Sequence, residues 1–184
     1  MKAIQELRME HDAVRLTLKV LDRICQKIEL SGKLDDPQDV DHLLEFFTVF
    51  VDKCHHGKEE ELLFPALVAV GVSENGPIVV MLHEHEMGRN HVKAMSTAFA
   101  GYMTGSISSS KDVLKNAHGY ISLLRDHIEK ENNVLFVMAD SLLSEQGQDE
   151  LFEGFEKIEE DRIGVDKHEE FHGLLKKLSG IYLD

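Results

Sequence analysis

Two stretches of this chain carry the same order of histidine, glutamate and apolar residues, 72 positions apart. An ungapped alignment pairs HHGKEEELLFP with HIEKENNVLFV, and it matches His55 with His127 and Glu59 with Glu131. Residues four apart in a helix share a face, so each stretch presents an imidazole and a carboxylate together. These groups bind transition metals, and the repeat therefore predicts two matching parts of one metal site.

Four histidines lie on apolar stripes of the kind that face the interior of a helical bundle. They are His11, His55, His85 and His127. At about 1.5 Å of rise per residue, all four lie at a similar depth in such a bundle, with Glu59 and Glu131 one turn further along. Burying this many polar groups without partners costs several kcal/mol. The pattern therefore predicts a metal that all four helices share.

His56 is a fifth candidate histidine, because it lies about 100° around the helix from His55 and three residues before Glu59. The alternative is a polar side chain beside the site or at the surface. A lone buried histidine is usually an ordinary core residue, and a histidine–glutamate pair is often a solvated one. Four histidines in one layer, with the pair written twice, favour a site over both alternatives.

Other polar residues near these motifs are predicted to lie outside the site. His83 and His91 should face outward, at about 200° and 240° around the third helix from His85. His42 and His118 should lie near the opposite end of the bundle. Three glutamates near the motifs should be solvated, namely Glu60, Glu61 and Glu84.

Nitrogen and oxygen donors without thiolates favour iron or manganese over a structural zinc ion. Cys25 and Cys54 are expected to be small buried apolar residues, since the chain has no CxxC spacing. Five histidines, two bridging glutamates and one solvent-derived bridging oxygen would give one metal six ligands and the other five. The open position, inside an apolar bundle, is suited to a diatomic such as O₂ or NO.

The composition bounds the class of protein and its partners. With 184 residues, 42% of them hydrophobic, the chain is long enough for a well-formed core. A formal charge of −14 would repel nucleic acid and anionic membranes. The longest apolar run, 62–72, is shorter than the roughly 18 residues of a membrane span. Two cysteines, and a charged start without the apolar core of a signal peptide, favour a cytoplasmic protein.

Clusters of turn residues divide the chain into four long helices, predicted near 2–30, 38–70, 77–104 and 111–143. Few prolines and no alternating apolar pattern argue against strands. The predicted fold is all-α, an up-down-up-down antiparallel four-helix bundle in residues 1–143. Residues 144–184 are predicted to form a short C-terminal helical appendage packed on the bundle, with one or two helices within 149–180.

Four motifs in this chain resemble those of the hemerythrin-like (HHE cation-binding) family. In order, they are MEHD around His11, HHGKEEELLFP, HEHEMGR around His85, and DHIEKENNVLF. The resemblance covers roughly residues 1–143 and implies a four-helix bundle with a non-haem di-iron centre, bound by five histidines and two carboxylates. By position, it assigns as ligands His11, His55, Glu59, His85, His127 and Glu131.

This chain departs from the family at one ligand position. Hemerythrins take a second histidine from the third helix, four residues after the first, and this chain has Arg89 there. Some family members use the residue directly after the second-helix histidine, which favours His56. His168 and His172 are the alternatives if the appendage folds over the site.

The resemblance implies activities that range from O₂ carriage and sensing to protection and repair under nitrosative or oxidative stress. The first expectation is a cytoplasmic di-iron protein that binds O₂ or a related diatomic at an open iron position. The alternative is a di-iron redox protein that detoxifies NO or peroxide, or repairs iron centres, with a redox partner that the sequence does not identify. A third interpretation is a metal-free helical interaction module.

Overall fold

The structure, a computed structural model, describes residues 2–32, 36–104 and 107–183. In chain order the helices are α1 (Lys2–Ser31), α2 (Pro37–Phe46), π1 (Phe47–His56), π2 (Glu59–Leu63), α3 (Phe64–Ala69), π3 (Glu74–Ile78), α4 (Val79–Met103), α5 (Ile107–Lys130), π4 (Glu131–Leu135), α6 (Phe136–Leu142), α7 (Glu145–Arg162) and α8 (Val165–Tyr182). The described residues contain no strand, which confirms the all-α prediction. None of these helices is long and apolar enough to cross a membrane.

The helices that carry the predicted ligands form four helical runs, whose bounds agree with the predicted helices to within a few residues. Run 1 is α1, run 2 is 37–69, run 3 is 74–103 and run 4 is 107–142. Run 2 begins where the sequence indicates, because the Asp36 side chain accepts a hydrogen bond from the Gln38 N–H at 2.9 Å and Pro37 occupies the first helical position.

Runs 2 and 4 contain π-helical turns at the ligand positions. π1 ends with His55 and His56, while π2 begins at Glu59 and π4 begins at Glu131. In a π-helical turn the hydrogen bond spans five residues, so successive side chains rotate by less than the 100° of an α-helix. The neighbouring rings of His55 and His56 are therefore both buried on the inner side of run 2.

Two cores of buried apolar side chains flank the ligand positions along each run. The first core includes Val14, Leu18, Phe47, Val51, Met95, Tyr120 and Leu124, and the second includes Ile4, Leu7, Leu63, Phe64, Met81, Leu135 and Phe136. In run 1, for example, His11 follows Leu7 of the second core and precedes Val14 of the first. The polar ligands are thus enclosed by hydrocarbon on both sides.

The predicted C-terminal appendage consists of two helices of 18 residues each, α7 and α8. Gly164 joins them with a φ of +76°, a conformation that favours glycine. α7 packs against α1, π1 and π2, while α8 packs against α1 and α2. Phe155 of α7 belongs to the second core and Phe171 of α8 to the first. The division into domains at residue 143 stays a prediction.

Candidate metal centre

The seven predicted ligands lie in two adjacent groups. The first group is His11, His55, Glu59 and Glu131, and the second group is His56, Glu59, His85 and His127. Within each group, one donor atom per residue lies within 4.8 Å of those of the other members, and every side chain is buried. Because Glu59 belongs to both groups, they are two parts of one site.

Glu59 lies between the two groups. Its Oε1 is 3.6 Å from His55 Nε2, and its Oε2 is 3.4 Å from His85 Nε2. Burial, together with the charge of Glu131, holds the pKa of Glu59 well above its usual range. A cation placed between these atoms would lower that pKa, because it favours the charged carboxylate.

Glu131 makes the corresponding contacts from run 4. Its Oε2 lies 3.2 Å from both His11 Nε2 and His127 Nε2. Burial raises the pKa of Glu131, but the two imidazoles outweigh burial and hold that pKa well below its usual range. Burial lowers the pKa of His127, while Glu131 and Glu84 raise it, and the net result is a pKa of about 9. Glu131 and the His127 imidazole therefore hold opposite charges in close contact.

Several buried donor atoms of the site have no hydrogen-bond partner among the described residues. They are His11 Nε2, both ring nitrogens of His56, and the carboxylate oxygens of Glu59 and Glu131. Leaving so many buried polar atoms unpaired costs several kcal/mol. A metal ion offers the missing partner, and nitrogen and oxygen donors without thiolate fit iron or manganese. The residues present therefore fit a bound metal.

A second layer of side chains contacts the outward-facing nitrogens of four of the predicted ligand histidines. The Nδ1 contacts are His55 with Glu10 at 2.7 Å, His85 with Glu60 at 2.7 Å, His127 with Glu84 at 3.0 Å, and His11 with Asn132 Oδ1 at 3.1 Å. An ionised carboxylate only accepts hydrogen bonds, so the imidazole donates its Nδ1–H to it. When such a ring is neutral, its Nε2 lone pair faces the centre of the site, as a metal requires.

Two of the outer partners follow the 72-residue repeat, and the other two share a different pattern. Glu60 and Asn132 are 72 positions apart, while Glu10 and Glu84 each directly precede a ligand histidine in MEHD and HEHE. The prediction that Glu60 and Glu84 are solvated is wrong, because each holds a ligand ring and Glu84 is buried. The one sequence signal for Glu84 is that it directly precedes a predicted ligand histidine, as Glu10 does.

His56 lies in the second group and stacks on His85, with ring centroids 3.8 Å apart. Burial and the neighbouring imidazoles hold the pKa of His56 well below its usual range, so its ring is neutral. Its Nδ1 is 3.6 Å from Asp52 Oδ1. The alternatives, His168 and His172, lie instead on α8, with their Nε2 atoms 2.8 Å apart.

Arg89 occupies the position at which hemerythrins have a second histidine. Its Nη1 donates to Asp52 Oδ1 at 2.8 Å and to Glu60 Oε1 at 3.2 Å. These two acids face His56 and His85. Arg89 therefore holds the acids behind two ligand rings of the second group.

The residues predicted to lie outside the site belong to neither ligand group. His83 is exposed, and the ring of His91 lies against Gly119, where an added Cβ would be 2.5 Å from His91 Cε1. His118 pairs with an acid at the surface of α1. Cys25 and Cys54 are buried free thiols, as predicted.

A surface cavity of about 360 Å³ reaches the site at His56. Its wall combines the aromatic ring of Tyr120 with the charged side chains of Asp52, Arg89 and Lys93. The cavity is larger than a diatomic molecule requires. Among the seven predicted ligands, His56 is the one that lines this cavity.

The helical fold and the two groups of buried histidine and glutamate side chains define the class of the protein, a helical cation-binding domain. The chain belongs to the hemerythrin HHE cation binding domain family, whose sequence model matches residues 2–139. The suspected family is thereby confirmed.

Relatives with assigned functions are similar to part of this chain. The iron-sulfur cluster repair protein YtfE of Pectobacterium carotovorum subsp. carotovorum (strain PC1) is 29% identical over 134 residues. The protein of the same name from Musicola paradisiaca (strain Ech703) is 30% identical over 140 residues. Each match covers 70% of this chain, and the chain spans about 60% of the length of these relatives. No solved structure gave a significant match.

Proposed function

We propose that this chain binds two iron ions in a di-iron centre, with Glu59 and Glu131 as bridging ligands and manganese as the alternative metal. The terminal ligands would be His11 and His55 on one ion, and His56, His85 and His127 on the other. The observation that carries this proposal is the sharing of Glu59 between two buried groups of predicted ligands, several of whose donor atoms lack hydrogen-bond partners among the described residues.

Iron bound in this site would supply one-electron redox chemistry and a coordination position for a small ligand. The residues of the chain orient the ligand atoms toward the iron and limit the access of water. Glu10, Glu60 and Glu84 accept Nδ1–H bonds and so turn three Nε2 lone pairs inward. Phe136 stacks on His11 at 5.2 Å, which limits access of water to that ring.

We infer that the centre acts in the repair of iron–sulfur clusters or other iron centres, in the cytoplasm. The similarity to proteins named for iron-sulfur cluster repair supports this function. The cavity beside His56 supports it as well, because it is larger than O₂ requires and charged side chains contribute to its wall. NO and peroxide are the small molecules that the same centre would handle by redox chemistry.

Binding of O₂ or a related diatomic is the second candidate function. The aromatic rings beside the ligands favour it, since Phe64 stacks on His85 at 5.9 Å and Phe136 covers His11. An apolar wall of this kind admits a small neutral molecule and disfavours charged ones.

Metal content tests the di-iron proposal. Protein purified with iron should contain two iron ions per chain, and Glu131→Ala should lose loading of both positions because it removes a bridging carboxylate. His83→Ala is the matched control, since His83 is exposed on α4, and its loading should be unchanged. A wild-type protein without stoichiometric iron or manganese would instead favour a metal-free helical interaction module.

A repair assay separates the two candidate functions. Ferrous protein, loaded without air, is mixed with an iron–sulfur enzyme inactivated by NO or peroxide, and recovery of that enzyme's activity is measured. Repair predicts recovery with the wild type and none with Glu131→Ala. A stable, reversible oxygenated band in the visible spectrum, without recovery of the enzyme, would replace repair by O₂ binding.

The architecture follows from the same proposal. Runs 1 to 4 would form an up-down-up-down bundle in residues 1–143, with neighbouring helices antiparallel. In such a bundle all four helices pass through the layer that contains the ligands. Residues 144–184 would pack on that bundle.

A further inference from the structure

Lys58 has a fully buried side chain beside the metal centre. Its Nζ donates hydrogen bonds to Glu6 and Glu10 at 2.6 Å each and to Glu159 at 2.9 Å. An ammonium group has three donors, so these three carboxylates satisfy all of them. Glu10 also accepts from His55 Nδ1 at 2.7 Å, which connects the lysine to a predicted metal ligand.

The third carboxylate comes from α7, which lies outside the residues that the family's sequence model matches. Phe155, one turn before Glu159, places its ring centroid 5.9 Å from Lys58 Nζ. Run 2 approaches α7 closely, since a Cβ added at Gly154 would lie 2.7 Å from Leu62 Cδ1. α7 therefore covers Lys58 with both an acid and an aromatic ring.

The space between Glu10, Cys54 and Glu159 would suit a cation, because their donor atoms lie within 4.8 Å of one another. The hydrogen bonds of the Lys58 ammonium place it among these acids. The cluster thus binds a lysine of the chain itself and connects α7 to run 2.

The 72-residue repeat provides an internal comparison for Lys58. Its counterpart is Lys130, which contacts Glu84, and Glu84 accepts from His127 Nδ1 just as Glu10 accepts from His55. The side chain of Lys130 is 46% exposed, whereas that of Lys58 is 0% exposed. In both copies of the repeat, a predicted ligand histidine contacts an acid and that acid contacts a lysine. The difference is that α7 covers the lysine of the first copy, Lys58.

We propose that Glu159 is a positioning residue for the metal centre and acts through Lys58 and Glu10 on His55. This inference rests on the proposed function, because it takes His55 as a metal ligand. The third carboxylate holds the ammonium, the ammonium holds the Glu10 carboxylate toward His55, and Glu10 fixes the tautomer and direction of that ring. Since His55 belongs to the first ligand group alone, the effect falls on one of the two metal positions.

Iron release tests the proposal. Glu159→Leu removes the third carboxylate and fills its space, and Glu160→Leu is the matched control on an exposed position of the same helix. When ferrous-loaded protein is mixed with an excess of the chelator ferrozine, Glu159→Leu should release one of the two ions roughly 10-fold faster than the wild type. The other ion and the control should be unaffected. Glu159→Gln keeps an acceptor oxygen, so its release rate should be intermediate.

A second measurement does not depend on metal. ¹⁵N NMR of the metal-free full chain reports which ring nitrogen of His55 carries the proton. The wild type and Glu160→Leu should show the Nδ1–H tautomer, and Glu159→Leu should show a mixture of tautomers. His127, which Glu84 holds in the other half, should give the same spectrum in all three proteins.

The outcomes separate this proposal from the proposed function. Equal release rates in Glu159→Leu and Glu160→Leu, with an unchanged His55 spectrum, would overturn the positioning role even if the wild type binds two iron ions. Equal acceleration of both ions, together with a lower melting temperature, would assign Glu159 a general structural role and also overturn it. A wild type that binds no iron would overturn the proposed function and, with it, any role of Glu159 at a metal centre, even if the His55 tautomer depended on Glu159.

Discussion

The histidines of the site differ in the group that accepts the hydrogen bond from Nδ1. His55, His85 and His127 donate Nδ1–H to carboxylates, while His11 donates to the neutral amide of Asn132. A carboxylate behind an imidazole makes its other nitrogen more basic, and an amide does so less. The first ligand group thus has one carboxylate-backed histidine and the second group has two. If each group bound one metal ion, as proposed, the two ions would therefore differ in the basicity of their ligands, although those ligands come from a repeat.

Replacing Arg89 tests the acids behind the second group. Arg89→Met removes the guanidinium but keeps an aliphatic chain, so Asp52 and Glu60 lose the donor that holds them. We expect metal affinity at the second position to fall roughly 10-fold, which chelator competition measures. Arg15→Met is the control, because Arg15 pairs with Glu129 on the exposed surface. Equal affinities in the two variants would contradict the role of Arg89.

The two cysteines should be unreactive in the folded protein. Burial raises the pKa of both Cys25 and Cys54 to about 12. The thiolate is the reactive form, so at pH 8 alkylation of either thiol should be roughly 1,000-fold slower than that of a free cysteine. Folding raises the pKa of these thiols, so keeping them neutral contributes to the free energy of unfolding. This contribution is complete below the pKa of an unfolded cysteine and declines as the pH rises from there toward 12.

Thiol reaction with a disulfide reagent, followed by absorbance, measures this directly. Both cysteines should react at the free-thiol rate in concentrated urea, which is the control. Fast reaction of one thiol in native buffer would show that its side chain is accessible and that the burial argument fails for that residue.

At the scale of the elements, the repeat in the sequence recurs as a repeat in helix geometry. π2 begins at Glu59 and π4 begins at Glu131, and in each case the next α-helix begins at the aligned phenylalanine, Phe64 or Phe136. Each of these π-helical turns starts at a glutamate that is proposed to bridge the two metal ions. The π-helical turn therefore occurs at the same position in both copies of the repeated motif. π-Helical turns are frequent at functional sites.

The features of the fold that the sequence predicts are those that depend on local residue patterns. Apolar periodicity and turn residues place the four runs, and positions on those stripes place His11 and Glu131 in the interior. The π-helical turns could not be predicted, because their cost is offset by contacts between distant residues. The partners Glu60 and Glu84 were missed for a related reason, since a glutamate near a helix surface resembles a solvated one until its histidine partner on another helix is known.

The turn between α7 and α8 gives a prediction at this scale. Gly164 has a φ of +76°, which costs a residue with a Cβ about 1 kcal/mol or more, so Gly164→Ala should lower the free energy of unfolding by about that amount. Gly173→Ala is the matched comparison, because Gly173 is exposed within α8 and an added Cβ there has no described atom within 4 Å. It should raise stability by about 0.5 to 1 kcal/mol.

Urea unfolding followed by circular dichroism measures both variants. The two substitutions add the same methyl group to the same hairpin, so a shift of the same sign in both would mean that backbone conformation does not decide the outcome at Gly164.

At the scale of the whole molecule, the chain combines a strong negative charge with a buried pair of carboxylates. The formal charge of −14 attracts cations to the surface by long-range attraction. Burial between the two cores disfavours negative charge on Glu59 and Glu131. The imidazoles offset this effect at Glu131, while at Glu59 a proton or a cation would offset it. We therefore expect metal binding and folding to be coupled in this protein.

That coupling predicts that removing the metal destabilises the whole fold. A ligand that binds only the folded state adds about 4 kcal/mol at a concentration 1,000 times its dissociation constant, so the metal-free chain should unfold at a clearly lower urea concentration than the loaded chain. Chelation followed by urea unfolding measures the difference, and readdition of ferrous iron should restore it. In Glu131→Ala the same treatment should change little, because the bridging carboxylate is gone. Identical unfolding of metal-free and loaded wild type would show that the two ligand groups are satisfied without an ion, and the metal centre itself would have to be abandoned.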